Sequence, residues 1–591
     1  MTYQAPVQDM LFAMRHLAGI DALAALPGHE DAGYETAQAV LEECARFCGE
    51  AIAPLNWEGD KNPSWFDAGQ VHTTPGFKEA FQQFVAGGWQ GLQHPVEFGG
   101  QGLPKLIHAA CSEMLQSANM SFALCPLLTD GAIEALLTAG SDAQKAAYLP
   151  KMIDGSWTGS MNLTEPQAGS DLSLVRTRAE PQPDGTYKLF GTKIFITYGE
   201  HDMAENIVHL VLARVAGAPE GVKGISLFIC PKVLDNGTRN DVHCVSIEHK
   251  MGIKASPTAV LQYGDHGGAT AYLVGQENRG LEYMFIMMNS ARFGVGLQGV
   301  GLAERAYQKA VQYAKDRVQS RPVDGSVSHA AAIIHHPDVR RMLMTMRAYT
   351  EGCRAMSYVA AAAFDAAHAH PDAQVREENQ TFYEYLVPLV KGLSTEMSLE
   401  VASLGVQVHG GMGFIEETGA AQYLRDAKIL TIYEGTTAIQ ANDLIGRKTV
   451  RDGGRTAQAI AMQIEQTEKE LQSLGETACL RMAEQLKQAR VCYLDAVQFM
   501  VAQGKTNPNA VYAGSVNFLM LAGTLIAGWQ MGRALAVVKS GRAQEESSTF
   551  LQTKSVTAQF FAEHLLPRTR MYRDCIVGGA ESVMALSMEA F

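Results

Sequence analysis

Charge is scarce in this chain of 591 residues. Asp, Glu, Lys and Arg together make up 19%, below the quarter usual for soluble proteins, which implies that much of the surface is covered by packing between domains or subunits. Basic charge is the scarcer kind: 48 Lys and Arg stand against 62 Asp and Glu, a net −14. A general nucleic-acid binder needs a basic face to neutralise phosphates, so that class is excluded. A phosphate-bearing cofactor needs only a few local donors and is not. Ten cysteines are present without a framework. Cys44 and Cys48 lie one helical turn apart, the others are isolated, and no paired CxxC occurs. That usage fits reduced, mostly buried thiols of a cytosolic protein. The histidines of His335-His336 and of His368-Ala369-His370 have no carboxylate or cysteine at ligand spacing, so no metal site is expected. The opening MTYQAPVQDMLFAMRH has neither a basic start nor a long apolar core and is not a signal peptide. Internal repeats and low-complexity segments are also missing.

One long uncharged run exists, from Thr506 to Gly532. Its length would span a bilayer. Ser515, Asn517, Thr524 and Gln530 interrupt it, and its glycines suit close helix packing. A buried helix of a soluble bundle is therefore expected, with membrane association as the alternative.

What is present is 47% hydrophobic residues in a chain long enough for three or four domains. Residues 36–157 read as helical: the pattern in AGYETAQAVLEECARFCGEAIAPLN stops at Pro54, and two further helices break at Gly140. From 158 to 278 the texture is short β-rich runs (YKLFGTKIFIT, NIVHLVLARV, KGISLFIC, VHCVSI, TAVLQY) separated by PDG, APEG and DNG turns. That predicts an antiparallel barrel or sandwich. Helical texture returns over 279–450 with helices at roughly 281–318, 337–368, 374–408 and 437–447, a four-helix bundle. After an RDGGR hinge, 455–591 forms another helical block, and residues 1–35 form a separate extension. The fold class is thus α+β multidomain. Gly294-Val-Gly-Leu-Gln-Gly299 satisfies GxGxxG but lies inside a helix pattern, so the dinucleotide-fold reading fails and close helix packing explains it.

Two segments carry chemistry. Asn162–Asp171 reads NLTEPQAGSD, a loop with a Thr hydroxyl, a Pro-fixed turn, free backbone N–H groups and Ser170. Such a loop can wrap a planar polar ring and donate to its carbonyls. Leu424–Arg447 places Glu434 after an apolar run and before Gly435, with Thr436 or Thr437 able to cap the following helix. A carboxylate on such a corner is held by rigid backbone while pointing into a cavity, and burial would raise its pKa as a proton abstractor requires. Alone, either segment would read as an ordinary turn.

Together, TEPQAGSD (164–171), GTKIFIT (191–197) and DAKILTIYEGT (426–436) resemble the acyl-CoA dehydrogenase family over roughly residues 36–448. The resemblance implies FAD as cofactor. Leu163, Thr164, Ser170, Phe195, Ile196 and Thr197 would cradle the flavin, with Phe195 against the ring system where many members carry Trp, and Thr197 near N5. Arg317 would meet the FAD pyrophosphate of a neighbouring subunit, and Gln407, Gly410 and Gly411 the partner's adenosine part. Gly435, Thr436 and Thr437 would touch the dinucleotide too. Ser170, Asn289, Arg292 and Gly435 would contact the acyl-CoA, with Asn289 standing where the family usually has Asp. Glu434 falls on the family's base. Some branches carry the base just before Arg292, where Ala291 stands here and cannot serve.

The implied reaction is α,β-dehydrogenation of an acyl-CoA thioester, with an electron-transfer flavoprotein as acceptor and a homodimer as the assembly. The strings EHKMGI, EHDMAENIVHLVLAR and MMNSARFGVGLQGVGLAERAYQ look most like a long bacterial subgroup that acts on long-chain acyl-CoAs or on 3-methylmercaptopropionyl-CoA. The substrate expected is therefore a medium- or long-chain acyl-CoA or that thioether, and the location cytoplasmic, with a peripheral inner-membrane position as the variant. The competing readings are an oxygen-using acyl-CoA oxidase and a non-enzymatic binding protein built on the same fold. The −14 charge and an intact Glu434 oppose the latter.

Overall fold

The computed structural model describes residues 3–591. Short helices α1 (Val7–Ala13) and α2 (Ile20–Leu23) precede α3 (Tyr34–Phe47), α4 (Pro54–Lys61), a two-stranded ribbon of β1 (Trp65–Asp67) and β2 (Gln70–His72), α5 (Phe77–Ala86), α6 (Lys105–Ala118), α7 (Met120–Ala139) and α8 (Asp142–Ile153). Pro54 does not stop a helix. It opens α4 at the first helical position, where its missing N–H costs nothing. Gly140 does separate α7 from α8, and Ser141 with Gln144 forms a capping box for the second.

The β region is one mixed sheet. Its strands are β3 (Trp157–Asn162), β4 (Arg178–Pro181), β5 (Tyr187–Thr197), β6 (Asn206–Val215), β7 (Ser226–Pro231), β8 (Val242–Ile247), β9 (Thr258–Tyr263) and β10 (Ala269–Val274). The order is β10-β7-β6-β4-β5-β9-β8, and β10 also pairs with β5, so five strands close on themselves. The expected all-antiparallel arrangement is corrected here: β3 and β4 both run parallel to β6. The β4–β5 hairpin lies between β3 and β6 in the chain and provides the crossover that a parallel pair requires. The apolar run of β6 is buried on both faces. Val208, Leu210 and Leu212 join the core shared with α7 and α8, while Val211 and Ala213 point into the barrel.

The next helices are α9 (Gly280–Asp316), α10 (Pro337–Ala369), α11 (Ala373–His409), α12 (Ala420–Leu430) and α13 (Thr437–Ile445). The sequence reading contains no helix at α12; it took that stretch as an apolar run before Glu434. The GxGxxG glycines pack helices. A Cβ at Gly296 would sit 2.7 Å from the Val390 carbonyl oxygen, and one at Gly299 2.4 Å from that of Ser394, so α9 and α11 touch backbone to backbone.

The C-terminal block holds α14 (Arg455–Leu474), α15 (Thr477–Gln503), α16 (Pro508–Ala513), α17 (Ser515–Lys539), α18 (Ser548–Phe560) and α19 (Arg568–Gly578). α17 is long and apolar enough to cross a membrane, yet 89% of its most apolar window is buried inside the protein, and α7 passes the same test with the same burial.

Residues 3–35 do not stand apart, contrary to the sequence reading of a separate 1–35 extension. Met10, Phe12, Met14 and Ile20 are buried in one core that also takes in α6, α9, α10 and α17. A buried charge cluster fastens them. Arg354 on α10 pairs with Asp9 at 2.7 Å, Glu113 at 2.7 Å and Glu304 at 2.8 Å, and Lys554 on α18 binds Asp9 and Glu351. All ten cysteines are free thiols, eight of them buried.

Candidate functional site

The loop after β3 is fixed from beneath. Glu165 is buried and accepts hydrogen bonds from the Arg176 N–H (2.7 Å), the Thr177 N–H (3.0 Å) and the Thr177 hydroxyl (2.6 Å). It also pairs with buried Lys193 on β5 at 2.8 Å, and the Lys193 ammonium donates to the Leu163 carbonyl at 2.9 Å. Burial alone would raise the Glu165 carboxyl, but Lys193 and these hydrogen bonds outweigh it and hold it down to about 2. Burial brings Lys193 down to about 8 against the pull of Glu165, so both are charged at neutral pH. A backbone bond from the Ile194 N–H to the Thr164 carbonyl, 2.9 Å, completes the join of loop to strand.

Above this support the register of β5 against β9 slips between Lys193 and Ile196. Phe195 sits in the slip at φ +59°, and the residue is 59% exposed. A left-handed aromatic residue left mostly exposed on a strand is strained and contributes little to the core, so it is a ready stacking face. Ile196 is placed differently: its side chain is in the barrel core, and only its backbone can meet a ligand. Thr197, opposite Thr258, is half-buried, Thr164 is half-buried and Ser170 is exposed. The N–H groups of Thr164 and Ser170 make no hydrogen bond among the described residues.

Glu434 stands at the corner between α12 and α13. Its φ is +54° and that of Gly435 is +88°, so the chain reverses through two left-handed residues. Thr436 caps α13, accepting from the Ile439 N–H at 3.3 Å; Thr437 is buried and bonds Glu396 instead. The corner's carbonyls are pinned: Lys391 donates to Gly435 O at 2.6 Å, and Gln440 to Glu434 O at 3.2 Å and Gly435 O at 3.3 Å. The N–H of Glu434 donates to nothing among the described residues, and its carboxylate accepts no hydrogen bond there. Burial pushes that carboxyl up to about 7, with Arg292 and Lys391 pulling the other way. Arg292 on α9 is itself buried, and its Nε lacks a hydrogen-bond partner.

The cradle and the corner share a neighbour. The Tyr198 N–H, just past β5, donates to Pro257 O at 2.8 Å, and in the same loop the Ile253 N–H donates to Asp426 of α12 at 2.5 Å. Asn289 is exposed one turn before Arg292 and lines a cleft with Ser290, Asp443 and Arg447.

The remaining predicted residues lie elsewhere. Arg317 is exposed at the end of α9, where Tyr313 stacks on His409 at 4.2 Å, beside exposed Gln407, Gly410 and Gly411. Arg317 follows Arg292 along one straight helix, so at 1.5 Å per residue they are roughly 37 Å apart. These four residues thus gather at the far end of α9 from Arg292.

Sequence reasoning missed Lys391, Gln440, Glu165 and Lys193. Nothing local marks Lys391, which reaches the corner from α11; Gln440 lies six residues past Glu434 on α13, and Glu165 and Lys193 sit within the quoted motifs, where they could have been found as an isolated pair of opposite charges. Asp241, His243 and His266 also bring their ligand atoms within 4.8 Å of one another on the barrel surface.

The site therefore defines a class: a protein that presents a raised-pKa carboxylate beside a rigid cradle for a flat, polar ring. Three domain families of acyl-CoA dehydrogenase match it, N-terminal over 34–156, middle over 160–266 and C-terminal over 278–448, and the acetyl-CoA dehydrogenase C-terminal-like family matches 459–587. The chain is 55% identical to a 3-methylmercaptopropionyl-CoA dehydrogenase of Ruegeria pomeroyi over 100% of both chains. It is 35% identical to a broad-specificity linear acyl-CoA dehydrogenase of Mycobacterium tuberculosis, again over 100% of both. An acyl-CoA dehydrogenase of Bacillus anthracis, solved with FAD, superposes with a TM-score of 0.75 at 22% identity, covering 93% of this chain and 89% of that one. The chain belongs to the acyl-CoA dehydrogenase family.

Proposed function

We propose that this enzyme oxidises a saturated acyl-CoA to the trans-2-enoyl-CoA with Glu434 as base. The observation that carries the reading is the Glu434 corner: a half-buried carboxylate with no hydrogen bond, raised to about 7, next to its own free N–H. A base of that pKa is part-ionised at neutral pH and takes a proton with little mismatch. The thioester's α-proton is a weak acid, so the developing charge on its carbonyl oxygen needs a fixed donor, and the unbonded Glu434 N–H, immediately before the pinned Glu434 and Gly435 carbonyls, is such a donor. Glu434 gains the α-proton, the C–H electron pair becomes the Cα=Cβ bond, and hydride leaves Cβ with its own pair. FAD is the cofactor, and when bound it supplies the acceptor for that hydride. Phe195, Thr164, Thr197 and Ser170 fit such a ring by their exposure and their unused donors.

The separation of Arg317 and Gln407–Gly411 from the Glu434 corner supports a homodimer, in which those residues serve the partner's FAD. We assign an electron-transfer flavoprotein as acceptor and place the enzyme in the cytoplasm. The 55% full-length likeness to the Ruegeria protein favours 3-methylmercaptopropionyl-CoA as substrate; the 35% likeness to the linear-chain enzyme supports straight acyl-CoAs of medium or long chain as the second reading.

The test is anaerobic titration of the oxidised protein with 3-methylmercaptopropionyl-CoA and straight acyl-CoAs from butyryl to palmitoyl. Bleaching of the flavin band by one length class, lost in Glu434→Gln, is expected. A yellow protein that no thioester bleaches, or one that takes up no FAD, sinks the reading. Rapid oxygen uptake without added acceptor would make it an oxidase.

A further inference from the structure

Asp241, His243 and His266 form a group on the barrel that the proposed reaction does not use. β8 is the last strand in the sheet order and pairs with β9. Its start is bonded to the turn between β9 and β10. Asp241, one residue before β8, accepts the Gly264 N–H on its backbone carbonyl at 2.9 Å. Its side-chain Oδ2 accepts the His266 and Gly268 N–H groups at 2.8 and 3.0 Å. Those bonds give one carboxylate oxygen a structural task. The other, Oδ1, is shielded from solvent and has no hydrogen-bond partner among the described residues. Such an oxygen costs free energy unless something pairs with it. What faces it is an imidazole: His243 Nε2 lies 3.3 Å from Oδ1 without the alignment of a hydrogen bond. The His266 ring stands edge-on to that of His243, with centroids 5.5 Å apart and planes at 72°. The ligand atoms of all three side chains lie within 4.8 Å of one another.

We propose that Asp241 Oδ1, His243 and His266 bind one zinc ion, which staples edge strand β8 to the β9–β10 turn. Two imidazole nitrogens and one carboxylate oxygen are a donor set for zinc and its first-row neighbours. Calcium and magnesium take oxygen ligands instead. Zinc bonds of about 2.0–2.1 Å at tetrahedral angles put neighbouring ligand atoms about 3.3 Å apart, which is the spacing of Asp241 Oδ1 and His243 Nε2. His266 is the exposed member of the group, so rotation of its side chain closes the set without moving the barrel. The backbone N–H groups on Oδ2 serve as the outer shell that aims Oδ1. Three protein ligands leave one position for water. The competing account is a plain ion pair of Asp241 with a protonated His243, in which His266 has no part.

The experiment titrates the FAD-loaded full chain with zinc chloride alone, by calorimetry at about pH 7.5, above the ordinary imidazole value. Every protein carries Cys575→Ser, which removes the exposed thiol as a rival ligand. One equivalent per chain is expected, with Tm climbing by mass action as zinc rises above its Kd. Asp241→Asn keeps an oxygen for the His266 and Gly268 N–H groups and removes the second carboxylate oxygen, so the turn stays anchored. It, His243→Gln and His266→Gln should each weaken zinc binding at least about tenfold and flatten the rise in Tm. The flavin content of all three should match that of the parent, which shows the barrel intact. Absence of a saturable equivalent, or an equivalent held at parental affinity in any one of the three variants, overturns the site and leaves the ion pair. A bound equivalent that does not raise Tm overturns the staple. Magnesium chloride binding as tightly as zinc overturns the choice of ion.

Discussion

Two buried charged regions of this molecule have opposite fates. In the cluster that fastens the N-terminal segment, Asp9 is surrounded by Lys554 and Arg354. Burial would raise its carboxyl, but the two cations and their hydrogen bonds hold it down to about 2. At the α12–α13 corner, Glu434 has Arg292 and Lys391 as charged neighbours and a hydrogen bond from neither, and burial wins, up to about 7. Distance and orientation decide between the two, because a directly bonded cation offsets desolvation and a merely nearby one does not. A raised carboxyl alone does not mark a site. Asp365 rises to about 7 and Asp426 to about 6, also by burial, yet each is occupied with backbone N–H groups. Glu434 is distinguished by an unbonded carboxylate on a left-handed corner that remains partly open.

The largest effect that would sharpen this contrast is on rate. Glu434→Gln should slow flavin reduction by roughly 10²–10⁴-fold in a stopped-flow assay. The same substitution should raise the melting temperature at pH 8 and leave it nearly unchanged at about pH 4, below the unfolded value. An unfolded Glu titrates near 4.3, so between that value and about 7 the folded wild type still holds a proton that the unfolded chain has lost. The associated stability disappears as pH rises through the folded value, and glutamine does not lose it. A melting temperature that falls equally at both pH values would break the comparison.

Arg354→Met should be the largest purely structural loss. It strips a buried cation from Asp9, Glu113 and Glu304 and should cost about 3–5 kcal/mol, read as an earlier first unfolding transition in urea. A neutral result would mean that the cluster holds nothing.

Lys391→Met comes next. Removing a cation that lowers the Glu434 carboxyl should move the acid limb of kcat/KM from near pH 7 to higher pH. An unmoved limb would show that Lys391 only pins the Gly435 carbonyl. The smallest effect is expected for Thr436→Ala, which removes the α13 cap at a cost of about 1 kcal/mol, visible as faster amide exchange in Thr437–Ile445.

The motifs at Thr164–Asp171, Gly191–Thr197 and Asp426–Thr436 were legible because each packs its chemistry into a few consecutive residues, with turn formers and a cap that act locally. The alternation of helical and β texture was legible for the same reason, since periodicity is a local property. The family resemblance those motifs carry also implied a base at Glu434 and a flavin-stacking face at Phe195, which the residues alone would leave as a turn acid and a core aromatic. Other features came only from tertiary structure. The parallel pairing of β3 with β6, the docking of residues 3–35, the support of Glu165 by Lys193 and the pinning of the corner by Lys391 all join residues far apart in the chain. The titration of Glu434 belongs with them. The identity of the residue makes it an acid, but its desolvation and its distance from Arg292 and Lys391 depend on how α9, α11 and α13 pack, and local sequence carries no record of that.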